Sequence, residues 1–473
     1  MKGVFGGPGA YVPGSDLLLK TATIRGVESR GMMCSSRELE LGEDHQGIIE
    51  LDPDAPVGAS FAEHAGLDDP VIDVAVTPNR QDAMGVYGIA RDLAAAGLGR
   101  LKPLDVPAVP GAFPCPIEIR TDDREGCPAF YGRVIRGVRN GPSPQWLQQR
   151  LKAVGQRPIS ALVDMTNFIM LSYGRPLHVY DLAKLKGPLV ARRARDGAQL
   201  PALNGKTYRL DPTMTVIADE EGVHDIGGIM GGEESGVTEA TTDIVIECAW
   251  FDPERISLTG QKLGLASDAR SRFERGVDPE FLEPGLELAT AMAIELGGGE
   301  PSAIVRAGSP PKLERTISYR PARCAELAGM EVAPKRQADI LKRLGFAVET
   351  GDPWRIRPPS WRPDVEGPAD IVEEVARIEG YDKVPSTPLA RAPGVARPTA
   401  TPEQRLERKV RRAAAARGLD EAVTWSFVAE AEAEPFGGSS WCWSNPFSEE
   451  LRALLPSLLP GLLSAARRNL ARG

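Results

Sequence analysis

The sequence predicts a multidomain protein of the mixed α+β class, and three observations support this expectation. The chain has 473 residues, and a length of this order suggests about three domains or more rather than one hydrophobic core. Its composition, 42% apolar and 26% charged, is that of a folded protein. Stretches with the two-residue period of strands and stretches with the longer period of helices both recur along the chain.

The first two predicted domains cover residues 1–66 and 67–112. The first reads as short strands and turns, which indicate part of a small β-barrel with too few strands to close it. Because Met1 falls inside a strand pattern, we expect the chain to begin within a longer domain. In the second, the stretch DVAVTPNRQDAMGVYGIARDLAAAGLG predicts a strand that leads into a helix ending at Gly97 or Gly99.

Residues 113–305 predict one α+β domain that is large enough to hold an enclosed pocket. The Asn204-Gly205 turn joins QLPAL to KTYRL as a hairpin. Asp252-Pro253 and Asp278-Pro279 each have the capping chemistry that opens a helix. Two further helices, each followed by a glycine suited to a helix end, are expected at about 144–154 and 159–173.

Residues 306–386 predict a winged-helix-like module. A strand is followed by helices from Pro321 and Pro334, a hairpin through TGDP and a final acidic helix. A proline-rich linker, APGVARPTATP, leads to residues 398–473, where the helix TPEQRLERKVRRAAAARGL precedes a strand-like EAVTWSFV. We expect this last domain to be incomplete, because too few strands remain to finish an antiparallel sheet.

Charge and cysteine usage exclude several classes of protein. The formal net charge is −9, so the whole molecule is not an electrostatic nucleic-acid binder, and any RNA contact must use a local basic patch. The six cysteines form no CxxC pair, which argues against structural zinc and fits a reducing cytosol. No signal peptide or long apolar run indicates export or membrane insertion. One such basic cluster is visible, and it is either an RNA-contacting patch or simply a solvated helix face. It comprises Arg405, Arg408, Lys409, Arg411, Arg412 and Arg417.

The stretch WRPDVEGPADIVEEVARIEGYDKVP crowds acids together, among them Asp364, Asp370, Glu373 and Glu374 within eleven positions. Gly367-Pro368 predicts the start of a helix and Gly380 its end. The apolar spacing within that helix places Asp370, Glu373 and Glu374 on the opposite, wet face. Two interpretations remain open: a solvated acidic face, or a site for Mg²⁺, which prefers a few carboxylates together with water or phosphate.

Two features of the middle domain indicate a site. The glycine-rich GGIMGGEESG does not have the spacing of a nucleotide-phosphate loop. It is either a tight turn or a place where a ligand approaches the backbone closely. The strand DIVIECAWFDP carries Glu247 among apolar neighbours. A glutamate is costly to bury unpaired, so Glu247 either has a structural partner or serves a site.

Five motifs occur in the order found in bacterial phenylalanyl-tRNA synthetase beta subunits, a family that the chain resembles over essentially its full length: VTPNR, RPLHVYD, GGIMGGEESG, RFERGVDP and the acidic stretch. The resemblance implies that residues 113–305 are a B3/B4-type editing domain, which hydrolyses tyrosine wrongly attached to phenylalanine tRNA. Where the family usually has threonine, this chain has Ser267, which keeps the hydroxyl and lacks a methyl group. The editing pocket is implied to comprise His178, Glu247, Ser267 and Ala269, with Gly228, Gly231 and Gly232 binding substrate.

The same resemblance implies cofactors and partners. Asp364, Asp370, Glu373 and Glu374 match a Mg²⁺ site near an alpha subunit. That alpha subunit uses ATP to activate phenylalanine within an α₂β₂ tetramer, so this chain is not expected to charge tRNA alone. Residues 1–66 would be part of an OB-like tRNA-binding domain and 398–473 the start of a catalytic-like synthetase core.

The location implied is the cytoplasm, with no membrane partner. One alternative is a truncated, non-catalytic fragment that binds tRNA or the alpha subunit. Another is a DNA-binding regulator built on the winged-helix-like module, which the phosphate-repelling acidic helix disfavours.

Overall fold

The structure, a computed structural model, describes residues 2–42, 44–68, 70–390 and 398–472. The chain is multidomain and of mixed α and β content, and it divides into two compact units, residues 1–386 and 387–473. The predicted proline-rich linker at 392–402 lies largely outside the described residues. Within the part that is described, no helix has the length and apolar character needed to cross a membrane.

The first unit begins with short antiparallel strand pairs, which confirms the expectation of short strands and turns. β1 pairs with β8, β2 with β7, β3 with β4 and β5 with β6. These pairs are separate two-stranded ladders in the described residues and do not join into one sheet. The strands are β1 Lys2–Gly3, β2 Phe5–Gly6, β3 Tyr11–Val12, β4 Leu17–Leu18, β5 Ala22–Ile24, β6 Val27–Ser29, β7 Met32–Met33 and β8 Glu50–Leu51.

Two helices follow, α1 Phe61–Ala65 and α2 Val86–Ala95. The predicted end of α2 near Gly97 is confirmed, and that glycine has a φ of +91°. The predicted strand before α2 is wrong, because the described residues between 70 and 80 pair with no other strand. The carbonyl of Val76 instead accepts a hydrogen bond from the Arg275 side chain at 3.3 Å.

The middle of the unit contains two five-stranded sheets and a hairpin. In the first sheet the order is β11-β18-β10-β19, and β20 also pairs with β10; in the second it is β17-β16-β15-β12-β9. The hairpin β13–β14 confirms the predicted Asn204-Gly205 turn. The strands are β9 Ile119–Thr121, β10 Ala129–Arg136, β11 His178–Asp181, β12 Leu189–Arg193, β13 Gln199–Pro201, β14 Thr207–Arg209, β15 Thr215–Ala218, β16 Val223–Ile226, β17 Met230–Gly231, β18 Asp243–Trp250, β19 Glu300–Pro301 and β20 Val305–Gly308.

Five helices accompany these sheets, and the predicted helices near 144–154 and 159–173 are confirmed. Asp252 caps α5 by accepting a hydrogen bond from the Arg255 amide at 2.9 Å, as predicted. Asp278 caps a single 3₁₀ turn, from which α7 continues. The helices are α3 Gln145–Ala153, α4 Ala161–Tyr173, α5 Pro253–Leu263, α6 Asp268–Phe273 and α7 Leu282–Gly297.

β18 is buried on both faces because it lies in the interior of the first sheet, between β11 and β10. Ile246 belongs to the core that includes Leu286 of α7. Val245 and Ala249 belong to the core shared with the second sheet. Since side chains alternate along a strand, Glu247 shares the face of Val245 and Ala249 and lies on the side of the second sheet.

The last part of the first unit has a three-stranded sheet of order β21-β23-β22 with three helices. Tyr319, Leu341 and Ile371 share one buried core with Ala95 of α2. The predicted helix from Pro334, the hairpin and the acidic helix are all confirmed. The elements are β21 Ile317–Tyr319, α8 Arg323–Ala328, α9 Pro334–Arg343, β22 Ala347–Glu349, β23 Trp354–Arg357 and α10 Pro368–Glu379.

The second unit contains a long helix without buried residues and a small core. The helix α11 carries five of the six residues of the basic cluster, with Arg417 just beyond its end, and buries none of its residues. The predicted strand EAVTWSFV is shorter than expected, since only its last two residues pair. Val428, Ala433 and Ala453 form the buried cluster. The elements are α11 Pro402–Ala415, β24 Phe427–Val428, α12 Glu430–Ala433, β25 Ala453–Leu454 and α13 Leu459–Leu470.

Candidate active site

A cavity of about 80 Å³ opens between the edge of the first sheet, the glycine-rich turn after β16 and helix α6. The structure brings five of the seven predicted pocket residues to its lining: His178, Gly228, Gly231, Glu247 and Ala269. The other walls are mainly apolar and include two phenylalanine rings. A mainly apolar pocket with a few convergent polar groups is the usual form of a ligand site.

Glu247 supplies the buried acidic group of this cavity. It is 7% exposed and pairs in register with His178 of β11 on one side and Gly132 of β10 on the other. Burial and, to a smaller extent, the carboxylate of Asp225 together raise the pKa of Glu247 to about 8, while its hydrogen bond with Tyr180 acts in the opposite direction. The side chain is therefore mostly protonated at neutral pH and can both donate and accept a hydrogen bond.

Asp225 of β16 and Tyr180 of β11 complete a buried polar cluster with Glu247. The Tyr180 hydroxyl donates to Asp225 Oδ2, and its oxygen lies 3.4 Å from Glu247 Oε2. Asp225 Oδ1 accepts a hydrogen bond from the Gly232 amide at 3.2 Å. Burial, followed by the charges of Asp225 and Glu247, raises the pKa of Tyr180 well above its usual value. Tyr180 is therefore a neutral hydroxyl that links two acids.

His178 lies at the rim of the cavity, with its side chain 27% exposed. Its ring packs edge-on against Tyr180 at a centroid distance of 4.6 Å. Its Nε2 lies 3.7 Å from Asp225 Oδ1 and makes no hydrogen bond to the described part of the chain. This ring nitrogen is therefore a buried, unpaired polar atom in a residue that lines the cavity.

The glycine-rich turn is packed too closely for side chains. A Cβ on Gly231 would lie 2.8 Å from His178 Cε1, and one on Gly232 would lie 2.4 Å from the His224 carbonyl oxygen. Gly228 has a φ of +69°, which favours glycine. Gly232 does not line the cavity itself, although its amide holds Asp225. The segment is a tight turn between the antiparallel strands β16 and β17, which confirms the first of the two interpretations left open by the sequence. The approach of a ligand to its backbone stays a prediction.

Ser267 lies just outside the cavity lining and holds the turn against α6. Its hydroxyl accepts from the Arg270 amide at 3.0 Å, as an N-cap, and donates to the Ile229 carbonyl at 2.7 Å. The residue therefore shapes the cavity through Ile229, which lines it, whereas Ala269 lines it directly.

Replacing Ser267 by alanine is expected to lower the free energy of unfolding by about 1 kcal/mol, because the N-cap of α6 is lost. Urea unfolding followed by circular dichroism measures this change. Ser257→Ala in α5 is the control, since Ser257 makes no side-chain hydrogen bond within the described residues and should change stability much less. Equal losses in the two variants would contradict the capping role.

Of the four acids singled out in the acidic stretch, three were predicted to share the wet face of α10, and the structure corrects this prediction for Glu374. Glu374 is 1% exposed. It lies three residues after Ile371 and four before Ile378 and so belongs to the buried stripe. Its Oε1 accepts hydrogen bonds from Arg362 Nη2 at 2.9 Å and Arg377 Nε at 2.8 Å. Burial alone would raise the pKa of Glu374, but these two arginines hold it at about 2.

The other three acids also have protein partners. Both oxygens of Asp364 accept from Arg362, at 2.9 and 2.7 Å. Asp370 accepts from the Gly367 amide at 2.8 Å at the start of α10, and Glu373 accepts from Asn79 at 3.2 Å. No three His, Cys, Asp or Glu side chains in the described residues are arranged to hold a metal ion. The acids as placed do not fit a Mg²⁺ site, and we assign no metal-dependent step to them.

Arg362 and Arg377 extend into an ion-pair network that joins α10 to α2. Arg377 Nη1 lies 2.9 Å from Asp92 of α2, and Arg80 pairs with both Asp82 and Asp92, at 2.9 and 2.8 Å. Sequence reasoning missed Arg80 and Asp92, since nothing local connects them to residues almost 300 positions away.

It also missed the two partners of Glu247. Tyr180 follows His178 by two residues and therefore shares its strand face, which is a usable signal. Asp225 stands in the strand VHDI immediately before the glycine-rich turn, and the argument applied to Glu247, an acid among apolar strand residues, would have singled it out.

Models of three protein domains match the chain. They are described as the B3/4 domain, at residues 126–298, the tRNA synthetase B5 domain, at 317–381, and the phenylalanyl tRNA synthetase beta chain CLM domain, at 386–473. The pocket, with Glu247 and Asp225, lies inside the B3/4 range, and α10 inside the B5 range. The class defined by these matches is a subunit of an aminoacyl-tRNA ligase.

Proteins that match the whole length of this chain share one description. A phenylalanine–tRNA ligase beta subunit from Novosphingobium aromaticivorans is 64% identical over 473 residues, which cover 100% of this chain and 59% of that protein. A protein of the same description from Zymomonas mobilis is 59% identical over 471 residues, covering 100% of this chain and 59% of the relative. The chain belongs to the phenylalanine–tRNA ligase beta subunit family and spans about three-fifths of the length of these relatives.

Among solved structures, a crystal structure of an N-terminal fragment of the phenylalanyl-tRNA synthetase beta-subunit from Pyrococcus horikoshii matches 65% of this chain and 86% of that one. The sequence identity is 18% and the TM-score 0.34. A likeness of this size carries no argument about the site.

Proposed function

We propose that the chain acts within a phenylalanine–tRNA ligase and that its cavity hydrolyses tyrosine from wrongly charged phenylalanine tRNA. One observation carries this proposal: a buried, mostly protonated Glu247 lies in an apolar cavity beside a histidine that has a free ring nitrogen. The apolar walls suit an aromatic ring. The carboxyl group suits the one hydroxyl by which tyrosine differs from phenylalanine.

A ligase of this kind needs such a cavity for a physical reason. A hydrophobic pocket that fits phenylalanine rejects an analogue with one added hydroxyl only weakly, by roughly 10² in a comparable case. A second site that hydrogen-bonds the hydroxyl discriminates in the opposite sense, because without the hydroxyl its buried polar group stays unpaired. Hydrolysis at that second site removes the error that the first site admits.

In the proposed reaction Glu247 accepts a hydrogen bond from the tyrosine hydroxyl. The turn containing Gly228 and Gly231 lets the ligand approach the backbone, and Ala269 and Ser267 shape the opposite wall. His178 at the rim orients water or the tRNA terminus, because positioning supplies much of the barrier reduction in such a step.

The wider assignment rests on family membership and covers the remaining domains. Residues 1–66 would contribute part of an OB-like tRNA-binding domain, 67–112 a small domain around α2, 306–386 a winged-helix-like domain and 398–473 part of a synthetase core. The three-stranded sheet with α8, α9 and α10 supports the winged-helix-like assignment.

The proposed partners are an alpha subunit, in an α₂β₂ tetramer, and phenylalanine tRNA. ATP and Mg²⁺ would serve the holoenzyme, with amino-acid activation in the alpha subunit. The six cysteines are free thiols, which is compatible with the cytoplasmic location that we propose.

The direct test is release of tyrosine from tyrosyl-tRNA for phenylalanine by the purified chain, with phenylalanyl-tRNA as the comparison. We expect selective release of tyrosine. A folded chain that releases none would contradict the proposal, and the alternative of a non-catalytic binding fragment would take its place.

Gly231→Ala should reduce this hydrolysis by about 10²-fold, because the new methyl group would displace His178 and misplacement by about 1 Å has effects of this size. The matched control is Gly236→Ala, whose Cβ would meet its nearest atom at an ordinary 3.6 Å. Rates are compared at equal concentrations of protein that circular dichroism shows to be folded. Similar rates in the two variants would contradict the assigned cavity.

A further inference from the structure

The polar cluster behind the cavity forms a chain of hydrogen bonds whose direction one residue can set. Asp225 Oδ2 accepts from the Tyr180 hydroxyl, and Asp225 Oδ1 accepts from the Gly232 amide. A hydroxyl has only one proton to donate. Because Tyr180 gives its proton to Asp225, its oxygen is left as an acceptor, and Glu247 Oε2 lies 3.4 Å away from it.

The consequence concerns the other oxygen of Glu247. A proton on Oε2 points to the Tyr180 oxygen, so Oε1 carries only lone pairs. Within the described residues no hydrogen bond to Oε1 is made, and Glu247 lines the cavity. Oε1 is therefore an acceptor without a protein donor, which suits a ligand group that must donate a proton, as a phenol does.

We propose that Asp225 is a positioning residue that fixes the direction of this chain through Tyr180 and so keeps Glu247 an acceptor for a phenolic hydroxyl in the cavity. The inference rests on the proposed function and adds the residue that determines its specificity. Asp225 also lines the cavity, and its proposed role is to orient the hydrogen bonds rather than to react with the ester. It acts through Tyr180, from a strand of the second sheet, on an acid in the first sheet.

The substitution Asp225→Asn keeps the shape of the side chain but reverses the direction of the hydrogen bonds. The asparagine oxygen must face the Gly232 amide, since two N–H groups cannot pair, and its NH₂ group then faces Tyr180. That group donates to the Tyr180 oxygen, and Tyr180 turns its proton toward Glu247. Glu247 Oε2 becomes the acceptor, and any proton that Glu247 carries lies on Oε1, facing the ligand.

The test measures kcat/KM for hydrolysis of tyrosyl-tRNA and of phenylalanyl-tRNA by the wild-type chain, Asp225→Asn, Tyr180→Phe and the double variant. The ratio of kcat/KM for tyrosyl-tRNA over phenylalanyl-tRNA should fall roughly three- to tenfold in Asp225→Asn, which corresponds to the loss of about one hydrogen bond. In the Tyr180→Phe background, Asp225→Asn should change the ratio no further, because the link is already absent.

A merely structural role for Asp225 would not produce this coupling. If Asp225→Asn leaves the ratio unchanged, or lowers it equally in both backgrounds, the inference is overturned. Should Asp225→Asn fail to fold, Tyr180→Phe alone decides. A lowered ratio of kcat/KM for tyrosyl-tRNA over phenylalanyl-tRNA supports the proposed chain of hydrogen bonds, and an unchanged ratio overturns it. A wild-type chain without tyrosine release would instead overturn the proposed function itself, which separates the two failures.

Discussion

Replacing Arg362 by methionine is expected to lower the free energy of unfolding of the first compact unit by about 3–5 kcal/mol, the usual cost of removing one partner from a buried ion pair. The side chains of Arg362 and Glu374 are only 3% and 1% exposed. Arg362 contacts both oxygens of Glu374 and of Asp364. The variant would leave Glu374 with Arg377 alone and Asp364 with only a neutral donor.

The buried ion pair between Arg362 and Glu374 also predicts that the free energy of unfolding falls at acid pH. The folded pKa of Glu374 is lowered from 4.5 to about 2, so its contribution is fully present above pH 4.5 and is lost as the pH falls toward 2. Urea unfolding at pH 7 and across this acid range measures both effects. Arg362→Met should show a smaller acid dependence than the unchanged chain.

The control for Arg362 is Arg355→Met on β23. Arg355 lies 3.9 Å from Glu349, and both side chains are more than half exposed, at 70% and 61%. An exposed pair of this kind contributes about 0–1 kcal/mol. Equal stability losses in the two variants would contradict the assigned role of the buried network.

The second large effect is expected at Glu247. Glu247→Ala should lower the preference of the cavity for tyrosine over phenylalanine at least roughly tenfold, because the hydroxyl loses its buried hydrogen-bond partner. Glu247→Gln keeps the volume and one acceptor oxygen, so we expect an intermediate ratio. Phenylalanyl-tRNA hydrolysis, which does not use this hydrogen bond, should change much less and serves as the internal control.

Local sequence signals were enough to predict the acidic helix. Gly367-Pro368 and Gly380 bound α10 as expected, and the apolar stripe through Ile371 faces the core. The inward position of Glu374 also follows from its spacing, but an acid is not assigned to a buried stripe without a known counter-charge. That charge comes from Arg362, in the loop before the helix, and local patterns do not place the two side chains together.

In the candidate pocket, too, local sequence signals predict some features, whereas contacts between distant residues decide the others. The burial of Glu247 follows from its apolar neighbours in β18 and the turn from its glycine content, whereas His178 was found only through the family resemblance. Tyr180 had a usable signal in its spacing from His178, but the contact of Asp225 with this cluster was not predictable, because β16 belongs to a different sheet from β11 and β18. Which sheet a strand joins depends on contacts between distant residues, and strand period alone carries no information about it.

The central claim is that a buried carboxyl group in this cavity recognises the tyrosine hydroxyl. The most direct measurement is the ratio of kcat/KM for tyrosyl-tRNA over phenylalanyl-tRNA, compared between the unchanged chain and Glu247→Ala, both shown to be folded. The account predicts a ratio well above one for the unchanged chain and a fall of at least roughly tenfold in the variant. A ratio that is the same in both proteins would contradict it.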